Sequence, residues 1–354
     1  MVGAIKVAVL GAGGHTGRFV VDALRQKGVT AIPATRSGRF VPLGGSEEAC
    51  RIVDFSQAES LDRALAGADA VINCAGPFFD TAGPAVEAAL RAGIPYLDVA
   101  AEQRTVLDLF DRFDAPARAA GVTILPAMAF YGGLADLLVS ALVPDQGRID
   151  AIDIAVGLDS WHPTRGTRVT GERNTFKRLI IRDGELVPIP EPALSGHWSF
   201  PAPLGEQPVT YVALSEIILL SRHVDATAVT SFMNLKPLAD LHDARTPPPE
   251  ASDAQGRSAQ QFVLDVRLTR DGKEWRAHAS GRDIYAVTAP LVVEACLDLV
   301  AGSAAPGVRA PGEIFEPRSF LARLAPLIET NFGDEPGMVR SSVNATTHGD
   351  RQTH

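Results

Sequence analysis

Cysteine is scarce. Cys50, Cys74 and Cys296 are the only three in 354 residues, and no Cys-x-x-Cys or Cys/His spacing accompanies them. A disulfide framework and a zinc centre are both excluded, which leaves reduced thiols in a cytoplasmic chain, and no metal site, as the expectation. Long apolar runs are missing as well. The run at 217–220 is strand-sized, whereas a membrane-spanning helix needs about 20 such residues, so no membrane span is expected. One lysine precedes a four-residue apolar run near the N-terminus, too short for the core of a signal peptide. There is no long basic run and the formal net charge is −9. Nucleic acid is therefore not an expected partner.

What is present is ordinary for a globular protein: 46% hydrophobic and 21% charged residues, with length enough for two cores. The chain is organised around residues 6–24, KVAVLGAGGHTGRFVVDAL. A β-branched run at 7–10 passes into glycines at 11, 13, 14 and 17 and then into helix formers. Strand, tight turn and helix in that order make a dinucleotide-binding loop. Gly11 would make the turn, Gly13 or Gly14 would let backbone N–H groups approach a pyrophosphate, and Gly17 would let the helix pack closely on the sheet. The positive end of the helix then faces the phosphates. The spacing reads as GxGxxxG or GxxGxxG, and no Gly-Lys-Ser/Thr follows as in a Walker loop.

A second strand is expected at 29–35, and no acid occurs between Ala23 and Ser46. An NAD-specific fold places Asp or Glu near the end of this strand for the ribose hydroxyls. Here Arg36 and Ser37 stand there, with Arg39 beyond. A guanidinium stacks on adenine and pairs with a 2′-phosphate, so NADP, used as NADPH, is the expected cofactor. The plain alternative is that both arginines are solvated loop charges. Further strands at 51–55, 70–73, 96–99 and 122–126, separated by helical stretches, predict a parallel sheet with helices on both faces. Strand ends in such a sheet lie over the cofactor, which puts Asn73, Ala75, Gly76 and Pro77 around the nicotinamide ribose.

GAGGHTGRFV, the TRS after the second strand, VINCAGPF, GIPYLDVAAEQ and GRDIYAVTAPLVVEA together resemble the saccharopine dehydrogenase-like family. That family includes saccharopine reductases and bacterial proteins often labelled trans-acting enoyl reductases. The likeness is dense over residues 5–136 and thin beyond. It implies an NADP-binding Rossmann domain and a substrate domain inserted before C-terminal helices return to it. It also implies cofactor contacts from Gly11, Gly14, His15, Thr16, Arg36, Ser37, Asn73, Ala75, Gly76 and Pro77. Two departures fall where substrate would sit: Ala101 replaces the usual Gly of a Tyr-Leu-Asp-x-x-Gly-Glu segment, and Gly132-Gly133-Leu-Ala-Asp136 replaces a Pro-Ser-Asp opening. No relative's substrate carries over.

Beyond Asp136, alternating runs at 149–157, 209–214, 226–231 and 261–268 predict a mainly antiparallel sheet. The Arg270-Asp-Gly-Lys273 turn would join the last of these to a strand at 275–281. The expected fold is α/β, opening with an N-terminal doubly wound parallel Rossmann sheet in a domain at 1–136. An inserted α+β domain for substrate and dimerisation, built on the mainly antiparallel sheet, follows at 137–284. C-terminal helices return to the first domain at 285–330, and 331–354 is a mobile tail. A second copy could cover the outer face of the open sheet, so a homodimer is expected.

No tyrosine has a lysine four residues on, which excludes the Tyr-x-x-x-Lys pair in its usual form. Asp98 and Glu102, at the mouth of the strand at 96–99, could act as acid, base or anchor for a cationic amine. They could equally bond loop amides or cap the next helix. Tyr131, in Phe-Tyr-Gly-Gly between the domains, is a proton-donor candidate or an aromatic packed at a hinge. Arg165, Arg168 and Arg173, in a turn-rich stretch, would grip an acidic substrate or the cofactor phosphates, or form a basic solvated loop. The expected function is an NADPH-dependent oxidoreductase that passes a hydride to a C=N, C=O or activated C=C bond of a small-molecule metabolite. With no unambiguous catalytic pair, a non-catalytic NADP-binding sensor or scaffold and a lipid-active enoyl reductase stay open.

Overall fold

The strand Lys6–Leu10 points Val7 and Val9 to one side and Ala8 and Leu10 to the other, and all four are fully buried. A strand buried on both faces needs cover on both. The computed structural model, which describes residues 4–143, 147–302, 304–333 and 337–338, supplies it. Helices Ala58–Leu65, Phe78–Ala92 and Gln103–Ala120 pack on the face of Ala8 and Leu10. Helices His15–Gln26 and Thr288–Val300 pack on the other.

Seven parallel strands form this sheet in the order Gly307–Val308, Thr123–Leu125, Tyr96–Asp98, Ala70–Asn73, Lys6–Leu10, Thr30–Thr35, Arg51–Ile52. Chain order runs outward in both directions from Lys6–Leu10. The strand exits beside Ala70–Asn73 are thus the switch point at which doubly wound sheets bind ligands. The edge strand Gly307–Val308 lies in a stretch expected to be helical. Two residues carry no readable period, and Asp114, which accepts the Val308 N–H at 3.0 Å, helps to hold them there.

The second sheet is mainly antiparallel. Its main path runs Glu185–Pro188, Leu179–Arg182, Ala226–Asn234, Ile149–Leu158, Gln261–Arg270, Lys273–Arg282 and Ile328–Phe332. Only the pairing of Ala226–Asn234 with Ile149–Leu158 is parallel among the described pairs. Asp271 and Gly272 both take positive φ, 51° and 72°, the two-residue hairpin geometry the sequence indicated. One apolar core is continuous from Val7, Val9, Ile72 and Leu97 of the first sheet to Ile152, Ile154, Leu264 and Val266 of the second. The opposite face, read as open, is covered over Ala155, Phe232 and Val263 by the hairpin Ser195–Ser199 with Glu206–Tyr211, which buries Trp198. The stretch read as a tail begins inside a strand, where Asn331 and Phe332 pair with His278 and Ala277. Residues 334–336 and 339–354 of it lie outside the described residues.

One carboxylate clamps three distant segments. Asp136, fully buried at the start of helix Ala135–Ser140, accepts from His223 Nε2 at 2.7 Å and from the Gly312 N–H at 2.6 Å. A Cβ on Gly312 would fall 2.7 Å from the His223 ring and 3.0 Å from Asp136, so only glycine fits. Burial alone would lower the His223 pKa, but the Asp136 carboxylate, with Glu313 beyond it, more than offsets this and holds it above 6.5. Stability from a raised histidine pKa is fully present below the unfolded-state value and is lost as pH rises through the folded one. His223→Ala should therefore cost about 3 kcal/mol at pH 6 and less at pH 8.5, as read from urea denaturation. An equal loss at both pH values would contradict a charged pair.

Candidate dinucleotide and catalytic site

Gly11 ends the first strand with φ +74°, and a Cβ there would fall 2.8 Å from the backbone of Ala75. The exits of two neighbouring strands therefore touch, an approach that only glycine allows. A Cβ on Gly17 would collide with the Gly11 carbonyl and lie 2.9 Å from the Ala12 Cα, so the helix sits directly on the loop. Gly13 and Gly14 are exposed. Gly14 precedes the helix His15–Gln26 in extended conformation, with no side-chain cap and no acid in the first turn. The first N–H groups and the positive helix end are left to an outside anion, so the cradle fits a pyrophosphate.

Beyond the second strand, Arg36 is exposed and its guanidinium makes no ion pair or hydrogen bond among the described residues. Ser37 accepts the Arg39 N–H at 3.3 Å. A two-strand ribbon, Arg39–Phe40 with Glu48–Ala49, brings in two acids that lie just past the acid-free stretch. Both are already paired, Glu47 with Arg39 at 3.2 Å and Glu48 with Arg25 at 2.8 Å.

The next strand exits are tied by a buried network. Asn73 donates to Thr81 Oγ1 at 3.3 Å and to the Tyr96 hydroxyl at 3.2 Å, and accepts the Ala75 N–H at 3.0 Å. Tyr96 donates in turn to Asp98 at 3.0 Å, whose other oxygen accepts the N–H groups of Ala100 and Ala127 at 3.0 and 2.7 Å. Burial pushes the Asp98 carboxyl up to about 6, with these hydrogen bonds opposing it. Glu102 accepts the N–H groups of Phe78 at 3.2 Å and Ala101 at 2.9 Å, and burial raises its pKa too. Asn73, Asp98 and Glu102 thus shape the loop that carries Ala75, Gly76 and Pro77, and both carboxylates face loop amides.

The stretch read as turn-rich is a helix, Arg165–Arg173, capped by the Thr164 hydroxyl, which accepts the Thr167 N–H at 3.1 Å. Glycines at 166 and 171 and a lack of apolar period concealed it. The helix lies over the Gly76 loop. A Cβ on Gly76 would be 3.6 Å from the Thr170 hydroxyl, while Arg173 pairs with Asp80 at 2.6 Å and stacks over Phe79. Arg168 is spent on the carbonyls of Leu241, Asp243 and Thr246. Of the three arginines, only Arg165 has no partner among the described residues. The far side of the helix is fixed by Tyr285, whose hydroxyl meets Trp161 Nε1 at 2.9 Å, the Thr164 N–H at 3.3 Å and the Thr167 hydroxyl at 3.0 Å. His15 stands edge-on between Phe19 and Tyr285, with ring centroids 5.4 and 5.3 Å away. Burial lowers its pKa, which keeps the imidazole neutral.

Residues 7–125 match the family model described as the saccharopine dehydrogenase NADP binding domain. Over those residues the chain is similar to that domain. A bovine (Bos taurus) saccharopine dehydrogenase-like oxidoreductase is 25% identical over 224 residues, covering 54% of this chain and 52% of that protein. Its mouse (Mus musculus) counterpart is 26% identical over 152 residues, covering 37% of this chain and 35% of that protein. The matches thus span about half or less of those relatives. Apo saccharopine dehydrogenase (L-Glu forming) from Saccharomyces cerevisiae superposes with a TM-score of 0.62 at 14% identity, covering 94% of this chain and all of that one. At that identity the likeness is one of fold.

Tyr131 lies in a π-helical turn, Phe130–Leu134, that follows the strand Thr123–Leu125. Its ring packs against Phe130 and Trp161, and its hydroxyl is buried without a hydrogen-bond partner among the described residues. The sequence reading passed over Glu216. The strand-sized run beside it is a buried helix, Ser215–Leu220, and Glu216 is 3% exposed within it. A lone acid in Leu-Ser-Glu-Ile-Ile-Leu-Leu was the available signal. If Asp98 is the bracket of the strand exits, Asp98→Ala leaves two N–H groups and the Tyr96 O–H without an acceptor. It should then cost about 3 kcal/mol or more in denaturant unfolding. A loss below about 1 kcal/mol would contradict that role.

Proposed function

We propose that this chain is an NADPH-dependent oxidoreductase acting on a small metabolite. The observation that carries the reading is Arg36: a guanidinium without a partner among the described residues, at the end of the second strand beside a glycine loop and an uncapped helix end, suits a 2′-phosphate. When bound, the reduced nicotinamide supplies a hydride, here to a C=N, C=O or activated C=C bond. The protein's part is to hold and enclose. Gly11, Gly13, Gly14, His15, Thr16 and Gly17 line the phosphate cradle, Arg36 and Ser37 the adenosine end, and Ala75, Gly76 and Pro77 the nicotinamide end, with Asn73 setting their turn. Helix Arg165–Arg173 stands over Gly76, with the Thr170 hydroxyl turned to it, and holding the reactants in register supplies much of the rate.

Tyr131 is the proton donor of this reading, and Arg165 is the remaining arginine for an acidic substrate group. Residues 137–284, which carry most of the second sheet, act as the substrate and dimerisation domain. No described helix is long and apolar enough to cross a membrane. A cytoplasmic setting, supported by three unpaired cysteines, and a homodimer complete the proposal. Arg36→Asp should weaken NADPH binding about 10- to 100-fold and leave NADH binding nearly unchanged, as titrated by nicotinamide fluorescence. Equal effects on both cofactors would overturn the assignment.

A further inference from the structure

Just past the second strand lies a cavity of about 300 Å³, whose lining includes Ser37, Gly38, Arg39, Glu47, Cys50 and Ile52. Small-molecule sites begin at about this size. Ile52 is 63% exposed and gives the cavity an apolar face. It is pressed on the turn below: a Cβ on Gly38 would fall 2.8 Å from its Cγ1. Arg36 and Arg39 flank that turn, in which Gly38 takes φ +70°. Both cations are therefore carried by one bend of the chain.

The backbone of Arg39 is fixed. Its N–H donates to the Ser37 hydroxyl at 3.3 Å, and its carbonyl accepts from the Thr35 hydroxyl at 3.0 Å. Its side chain is held far more loosely, because Glu47, 3.2 Å away, is the one partner of the guanidinium among the described residues. The two side chains are 71% and 54% exposed. A pair so exposed is weak, since water and salt screen it. A phosphate monoester brings more charge than a carboxylate and a bidentate fit to guanidinium, so it is the stronger partner.

We propose, resting on the NADPH-dependent reading above, that Glu47 competes with the 2′-phosphate for Arg39. Arg39 leaves Glu47 for the phosphate as the cofactor binds, joining Arg36 there, while Ile52 lies under the adenine. Glu47 thus restrains the preference for the phosphorylated cofactor. It has no such effect on an unphosphorylated one, which gives Arg39 nothing to turn to. The other acid of the ribbon, Glu48, is engaged elsewhere, with Arg25.

The probes are adenosine 2′,5′-bisphosphate and 5′-AMP, which differ in the 2′-phosphate alone, titrated calorimetrically into the full chain. Glu47→Gln should tighten the bisphosphate about 2- to 5-fold, the strength of an exposed ion pair, and leave 5′-AMP unchanged. Arg39→Gln should weaken the bisphosphate about 10-fold, and adding Glu47→Gln to it should change nothing further. An unchanged or weakened bisphosphate in Glu47→Gln would overturn the proposal. So would an equal gain in the Arg39→Gln background, because Glu47 would then act by repulsion at a distance and not through Arg39. Both side chains are exposed, so folding is not at stake in either variant. If the bisphosphate binds the unaltered chain no better than 5′-AMP, the NADPH reading itself fails. Selective binding that is lost in Arg36→Asp but indifferent to Glu47→Gln overturns this inference alone.

Discussion

Tyr285 is the side chain at which its own segment, the stretch 161–167 and the glycine loop are held in one place. It meets Trp161, Thr164 and Thr167 from the segment that crosses over the first sheet, while the same ring lies edge-on to His15 in the glycine loop. Thr164 caps the helix Arg165–Arg173, so the position of that helix follows from Tyr285. The far end of the helix is then placed over Gly76 by Thr170 and Arg173. Remove the phenol oxygen and the helix keeps only one end. A buried hydrogen-bonding group of this kind is costly to leave unmade, and here its consequence is geometric, because the helix lies over the Gly76 loop.

Beneath that cover the limits are set by backbone. Gly11 touches Ala75, and Gly17 touches the loop below it, so the cradle is rigid before any ligand arrives. The side chains around it divide into two kinds. Asn73, Asp98 and Glu102 are buried and fully occupied with loop amides and hydroxyls. Arg36, Tyr131 and Glu216 have uncommitted atoms. The first kind builds the site, and the second is where chemistry or recognition can occur.

Local features of this arrangement were legible in the sequence. The glycine spacing after a β-branched run identified the strand, loop and helix, and two-residue alternation at 149–157 and 261–268 identified the second sheet. Asp271-Gly272 specified its own turn. Partnership over long distances was not legible. Arg168 and Arg173 read as free guanidiniums, but carbonyls at 241–246 and Asp80 claim them. Asn73 and Asp98 sit at strand mouths as expected, yet their hydrogen bonds turn them inward. Glu216 lay concealed because an acid beside an apolar run reads as a surface residue until the fold buries it. The helix at 165–173 has no buried face and so no period to read.

In the proposed function the glycine loop, the Gly76 loop and the helix held by Tyr285 build one dinucleotide site. Hydrogen–deuterium exchange with and without saturating NADPH tests it most directly. The account predicts slowed exchange in the glycine loop around 11–18, at 35–39 and 74–78, and also along 161–173, which no glycine motif would implicate. Protection of the glycine loop with exchange along 161–173 unchanged would contradict it.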